Sequence, residues 1–265
     1  MISIKNHNQI DKMRSAGHLL YDTLQFVKEK VQPGISTYEL DRYAEEFIRA
    51  GGGIPSFKGY EGYPAALCTS VDEQVVHGIP SKICILKEGS IISLDCGVVL
   101  DGWQSDSALT VPVGKVSDKL LKLIRDTEYS FFLGAMQAKV GNKLGDIGRA
   151  IQNYCEERGY GVIRDLTGHG IGRDVHEDPM IPNYFGAPNK GLSLKPGMTV
   201  AIEPMVSLGS WRVNVLDDGW TVITRDQSPS AHYEHTMAIG NEEPELLSYP
   251  GFSWDKFKES MVLEH

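Results

Sequence analysis

Two ten-residue stretches of this chain read almost as one. LKEGSIISLD, beginning at Leu86, and LKPGMTVAIE, beginning at Leu194, share a Leu-Lys pair, a glycine and an apolar run that ends in a carboxylate, Asp95 in the first and Glu203 in the second. They lie 108 residues apart. A second pair stands at nearly the same offset: PGISTYELDRYAEEFIRAGG from Pro33 and VGNKLGDIGRAIQNYCEERG from Val140, which set Gly34 over Gly141, Leu40 over Ile147 and Arg42 over Arg149. Agreement between two separate segments points to a duplicated unit packed on its copy, which constrains the fold more than any single motif. Helical periodicity covers about residues 7 to 31, 37 to 50, 118 to 140 and 144 to 158, with Ser36 and Glu39 fitting a capping box and Ser117 a cap. β-branched, glycine-punctuated segments at about 91 to 100, 103 to 112, 198 to 206 and 220 to 224 read as antiparallel strands. The order predicts an α+β fold of two pseudo-symmetric halves, about 1 to 112 and 113 to 250, in one domain spanning 1 to 262 around a shared cleft.

The strand that ends at Asp95 is otherwise apolar, and an unpaired charge there would cost several kcal/mol, so a positive partner is expected. Asp101-Gly102 is a two-residue hairpin signal that fixes the register. If Leu100 faces Trp103, Asp106 faces Gly97, on the side of the sheet that Asp95 also uses. Either acid alone would be an ordinary turn cap or edge residue. Diagonal neighbours of like charge repel unless a proton or a cation lies between them, and a divalent metal resolves this. Glu203 repeats the position of Asp95, and Glu234 in SAHYEHTMAI adds a fourth acid within a strand, where alone it would pair with a lysine or arginine.

The stretch LTGHGIGRDVHEDP, residues 166 to 179, contributes His169 and His176. Its glycines and Pro179 make a helix improbable, so it reads as strand and loop. A lone histidine is most often a satisfied core or surface residue, but His169 has glycine on both sides, leaving room for close approach. Carboxylates with one imidazole form an oxygen-rich set suited to two divalent ions sharing a water. His176, and His77 in EQVVHGIP, are then free to meet substrate. His7, His18, His232 and His235 show no comparable setting, except that the last two flank Glu234.

Composition bounds the rest. A formal charge of −9 argues against general adhesion to nucleic acid or anionic membrane. No run of 18 apolar residues and no signal peptide are evident, so a cytoplasmic protein is expected. The four cysteines lack metal or disulfide spacing and are expected to be reduced. Residues 263 to 265 look like the remnant of a tag.

Together, TSVDEQVVHGIP, SLDCGVVLDGWQSDSA, GHGIGRDVHEDP, LKPGMTVAIEPM and AHYEHT resemble the motifs of the type I methionine aminopeptidases, in order and at matching intervals from about residue 2 to 249. The resemblance implies the pita-bread fold, whose pseudo-twofold halves enclose a dinuclear metal centre. It implies Asp95, Asp106, His169, Glu203 and Glu234 as ligands of two divalent ions, of iron(II), manganese, cobalt or zinc. It makes Glu203 the proton acceptor, with His77 and His176 contacting substrate, and it implies a methionine pocket of Phe57, Tyr60, Tyr63, Cys68 and Trp220. The expected substrates are peptides and nascent chains with N-terminal methionine, including those at the ribosome, met by a monomer. The form resembled lacks both the helical insertion between Glu203 and Glu234 and an N-terminal zinc-binding extension. This chain departs from some members at Phe57 and Val175, and has Asp72 where many carry an asparagine beside a monovalent-cation site, so the resemblance does not carry that site over.

Two other readings compete. An Xaa-Pro peptidase on the same scaffold would normally carry a further N-terminal domain. A metal-free binding homologue would show substitutions among the ligands, yet all five positions are intact.

Overall fold

The computed structural model describes residues 2–186 and 190–263. Among the described residues five α-helices form: α1 (His7–Lys28), α2 (Thr37–Ala50), α3 (Asp118–Ala135), α4 (Leu144–Glu156) and α5 (Trp254–Leu263). Of the segment read as a tag remnant, Glu264 and His265 lie outside the described residues, and Leu263 closes α5.

The capping box of α2 is present: the Ser36 N–H donates to Glu39 Oε2 at 3.0 Å, and the Glu39 N–H to Ser36 Oγ at 3.3 Å. Ser117 caps α3 through the Leu120 N–H at 3.4 Å. Helix α3 stops five residues earlier than its periodicity suggests, because Lys139 bridges Gly240 and the Val140 N–H donates to the Gly240 carbonyl. Tertiary pairing there overrides helix propensity. Helix α1 ends at Lys28 rather than about residue 31, ahead of Pro33, which disfavours a helical conformation at Gln32.

Among the described residues the central sheet has nine strands, all antiparallel. At its middle the hairpin Ile91–Leu100 and Trp103–Pro112 lies beside Glu234–Ala238, which pairs with Thr199–Ile202, followed by Gly168–Gly170 and Glu177–Ile181. Helices α1 and α2 cover one half through Leu20, Leu24, Leu40 and Ile48 packed with Ile92, Leu94 and Val98. Helices α3 and α4 cover the other through Leu123, Phe131, Ile147 and Ile151 packed with Val200, Ile202 and Met237. Truncating a fully buried residue such as Leu94 to alanine costs about 2–5 kcal/mol.

The duplication is visible bond by bond. Ser36 bridges Ile85 as Lys143 bridges Ser193. The Leu86 N–H donates to the Ile35 carbonyl at 2.8 Å, and the Leu194 N–H to the Asn142 carbonyl at 3.0 Å. Even the second half of the capping box recurs, with the Lys143 N–H donating to Asp146 Oδ2 at 2.8 Å. Gly34 and Gly141 take positive φ of 93° and 95°, a conformation open to glycine at little cost.

Two predicted strands differ. The segment 198 to 206 divides into Thr199–Ile202 and Met205–Ser207 at Glu203-Pro204, where proline has no N–H for a ladder; the second piece joins a separate sheet with Ser230–His232. The strand expected at 220 to 224 begins at Val222, because Asp218 Oδ1 takes the N–H groups of Trp220 and Thr221, each at 2.8 Å. None of the described helices is long and apolar enough to cross a membrane.

Candidate metal centre

The hairpin register is as read from the sequence: Leu100 pairs with Trp103 and Gly97 with Asp106. Asp95 and Asp106 therefore share a face, and both are buried. Glu234 enters from the neighbouring strand, where it pairs with Ala108. Glu203 stands at the strand break before Pro204, and the Asn183 side-chain amide holds its carbonyl at 2.9 Å.

His169 lies in Gly168–Gly170. A Cβ on Gly168 would come within 2.3 Å of the Ala201 carbonyl oxygen, and one on Gly170 within 2.1 Å of that of Asp178. The flanking glycines thus serve close packing of neighbouring backbone, which holds His169 against the sheet. Its Nδ1–H donates to the Gly170 carbonyl at 2.9 Å, leaving the Nε2 lone pair toward the acids. Nε2 is 3.8 Å from Asp106 Oδ2 and 3.6 Å from Glu203 Oε1. Donor atoms of Asp106, His169 and Glu234 lie within 4.8 Å of one another.

These groups lack what would stabilise them without a cation. Asp95 Oδ1, Asp106 Oδ1 and Glu234 Oε1 are buried with no hydrogen-bond partner. Burial pushes the carboxyl of Asp95 up to about 7. Burial raises Asp106 well above the usual carboxylate range, and the Asp95 charge adds to it. Glu203 is raised by burial and then by Asp95; Glu234 by burial and then by Asp106, Glu203 and Asp95. His169 is held down to about 3 by burial and then by His176, so its imidazole is neutral at physiological pH. Unpaired acids around a neutral imidazole fit a divalent-ion centre.

A cavity of about 170 Å³ is lined by all five expected ligands, by His77 and His176, and by Phe57, Tyr60, Tyr63, Cys68 and Trp220. His77 has a positive φ of 58°, a strained conformation for a residue with a side chain. Burial lowers it to about 4, with His176 adding repulsion. His176 Nδ1 and the Tyr60 hydroxyl are hydrogen-bonded at 2.9 Å. The rings of Tyr63 and Trp220 meet edge-on at 5.1 Å, and the Tyr63 hydroxyl donates to the carbonyls of Leu67 and Gly78, so Tyr63 is wall and core at once. Phe57 fills the space that a side chain at Gly97 would need, while Val175 is buried and does not line the cavity. Asp72 accepts the Ile91 N–H at 3.0 Å and holds a turn.

Sequence reading passed over two residues here. Glu61 lines the cavity close enough to His176 for its charge to oppose the lowering of the imidazole; a turn glutamate with a positive φ carries no pattern that reveals this. His232 is buried within reach of Glu203 and Glu234. Its place beside Glu234 in AHYEHT was the available signal. His235, the other flank, turns to the opposite side, where Ser107, Ser248 and Tyr233 satisfy its ring nitrogens.

The profile of metallopeptidase family M24 matches residues 11–241. The chain belongs to metallopeptidase family M24. Within that family it is 57% identical to a methionine aminopeptidase of Clostridium perfringens, over 94% of this chain and 99% of that one. It is 51% identical to methionine aminopeptidase 1 of Bacillus subtilis, over 94% and 99%. The crystal structure of methionine aminopeptidase from Thermotoga maritima superposes with a TM-score of 0.91 at 44% identity, over 94% of this chain and 99% of that one. The M24 chain thus has the pita-bread architecture. Prolidase from Pyrococcus furiosus shares the fold alone, with a TM-score of 0.73 at 20% identity over 94% of this chain and 66% of that one.

Proposed function

We propose that this chain is a metal-dependent methionine aminopeptidase, hydrolysing the first peptide bond of chains that begin with methionine. The carrying observation is the convergence of five ligand-type side chains and two histidines on one cavity, in a chain 57% identical to a methionine aminopeptidase. The cofactors of this reading are two divalent ions, from iron(II), manganese, cobalt and zinc. Asp95 would serve one ion, His169 and Glu203 the other, with Asp106 and Glu234 shared. When bound, such ions polarise the substrate carbonyl and make a water acidic enough to attack it at neutral pH.

The chain's own residues do the remaining work. Glu203, made more basic by burial, accepts a proton from the attacking water. Burial raises the Tyr60 phenol, keeping its proton available to His176 Nδ1 and so leaving the His176 Nε2–H to donate to the carbonyl oxygen as it becomes anionic. His77, neutral at physiological pH, hydrogen-bonds the scissile amide. Phe57, Tyr60, Tyr63, Cys68 and Trp220 receive the thioether, which aromatic rings contact favourably. Burial holds the Cys68 thiol protonated, so it acts as an apolar surface. In this reading the enzyme is a cytoplasmic, single-domain monomer acting on peptides and nascent chains, including those at the ribosome, without direct contact to nucleic acid or membrane.

The test is an assay of metal-stripped chain, with each ion added back, on Met-Gly-type and Xaa-Pro-type peptides. Ion-dependent release of methionine is expected. Cleavage confined to Xaa-Pro peptides, or no turnover with any of the four ions, would contradict the reading.

A further inference from the structure

His232 has no role in the reaction just described, yet its surroundings are those of a working residue. It is 1% exposed, and neither ring nitrogen has a hydrogen-bond partner. Leaving both nitrogens of a buried imidazole unpaired is costly, so a partner is expected. Nε2 faces two acids, at 3.9 Å from Glu203 Oε2 and 3.8 Å from Glu234 Oε2.

Placement follows from the duplication. The Thr236 hydroxyl donates to the Asp106 carbonyl and accepts the Asp106 N–H, both at 2.8 Å. The Thr110 hydroxyl does the same for His232, donating to its carbonyl at 2.9 Å and accepting its N–H at 2.8 Å. Each threonine stands four residues after the residue that the other one clasps. His232 is therefore the pseudo-twofold counterpart of Asp106, held by the same backbone device.

The two oxygens of Glu203 are divided between two imidazoles. Oε1 lies 3.6 Å from His169 Nε2, on the side of the expected ion, while Oε2 faces His232. A carboxylate that gives one oxygen to an ion is oriented by a hydrogen bond to its other oxygen. The gap of 3.9 Å exceeds a hydrogen bond, and a small torsional change in the Glu203 side chain closes it.

We propose that His232 is a positioning residue of the metal centre, whose Nε2–H donates to Oε2 of Glu203 and so fixes the direction in which Oε1 meets the ion. The inference rests on the metal-centre reading above. A direct-ligand role would instead require a bare Nε2 lone pair.

Two measurements on the full chain test it. In protein with ¹⁵N-labelled histidine loaded with Zn²⁺, the His232 resonances are expected to show a neutral ring protonated at Nε2. A ring protonated at Nδ1, or Nε2 bound to zinc, overturns the proposal without any variant. Calorimetric titration of Mn²⁺ into stripped protein should show affinity about 10–100-fold lower in His232→Leu, which keeps bulk but removes the donor, and restored in His232→Gln, which keeps one. Wild-type affinity in His232→Leu reduces His232 to packing and overturns the proposal, as does failure of His232→Gln to restore affinity while folded. If wild-type protein takes up no Mn²⁺ or Zn²⁺, the metal-centre reading itself fails, which is a different result from any of these.

Discussion

Glu203 follows an apolar strand and shares a cavity with Asp95, Asp106 and Glu234, where burial and the Asp95 charge raise its carboxyl well above the usual range, so nearby cations would favour its charged form. Replacing the carboxylate by its amide keeps the shape and removes the proposed proton acceptor. Glu203→Gln is expected to lower kcat by about 10²–10⁴-fold with an unchanged circular dichroism spectrum. Wild-type turnover would remove Glu203 from that role. His176 offers a graded comparison, because Tyr60 touches it without being asked to meet the oxyanion. His176→Ala should lose about 10²–10³-fold in kcat, whereas Tyr60→Phe, which removes only a guiding hydrogen bond, should lose about tenfold. Equal losses would place the phenol in the reaction itself.

The short strand Gly168–Gly170 shows how an element can be built to aim one side chain. Gly170→Ala would drive a methyl against the Asp178 carbonyl, so the strand must move and carry His169 with it. The expected outcome is a loss of about 1–3 kcal/mol in urea unfolding, together with weakened Mn²⁺ binding. Unchanged metal affinity would show that His169 does not depend on this packing. The same scale explains what the sequence discloses. Helix α2 and its box are legible to the residue because cap, periodicity and stop are all local. The Asp95–Asp106 juxtaposition is legible because a two-residue turn fixes register. The end of α3 is not, since Gly240 dictates it from the other end of the chain. His232 is legible only in part: its place beside Glu234 is local, but the reciprocal clasp of Thr110 and Thr236 that sets it opposite Asp106 is not.

At the scale of the whole molecule, the folded chain concentrates four acids whose carboxyls burial raises, Asp95 to about 7 and the others well above their ordinary range. Unfolded carboxyls titrate near 4. As pH falls from about 8 to 7, the metal-stripped native state takes up protons that the unfolded state does not, so stability rises. The buried histidines work the other way. His77 is lowered to about 4, and His169, His232 and His235 to about 3, against about 6.5 unfolded. Below about pH 6.5 the unfolded state takes up those protons, which offsets the gain from the four acids. The stripped chain should therefore gain stability as pH falls from about 8 to 6.5 and level off below that, with Mn²⁺ raising Tm most on the alkaline side. Thermal unfolding from about pH 5 to 8.5, with and without Mn²⁺, checks this. A stripped-protein Tm that climbs steadily above about pH 7 would contradict it.

The most direct test of the proposed dinuclear centre is an anomalous difference map from crystals grown with Mn²⁺. The expected result is two peaks within the cavity, each flanked by oxygens from Asp106 and Glu234, one also meeting Asp95 and the other His169 and Glu203. A map with no peak among those five side chains, at Mn²⁺ concentrations that support turnover, would contradict it.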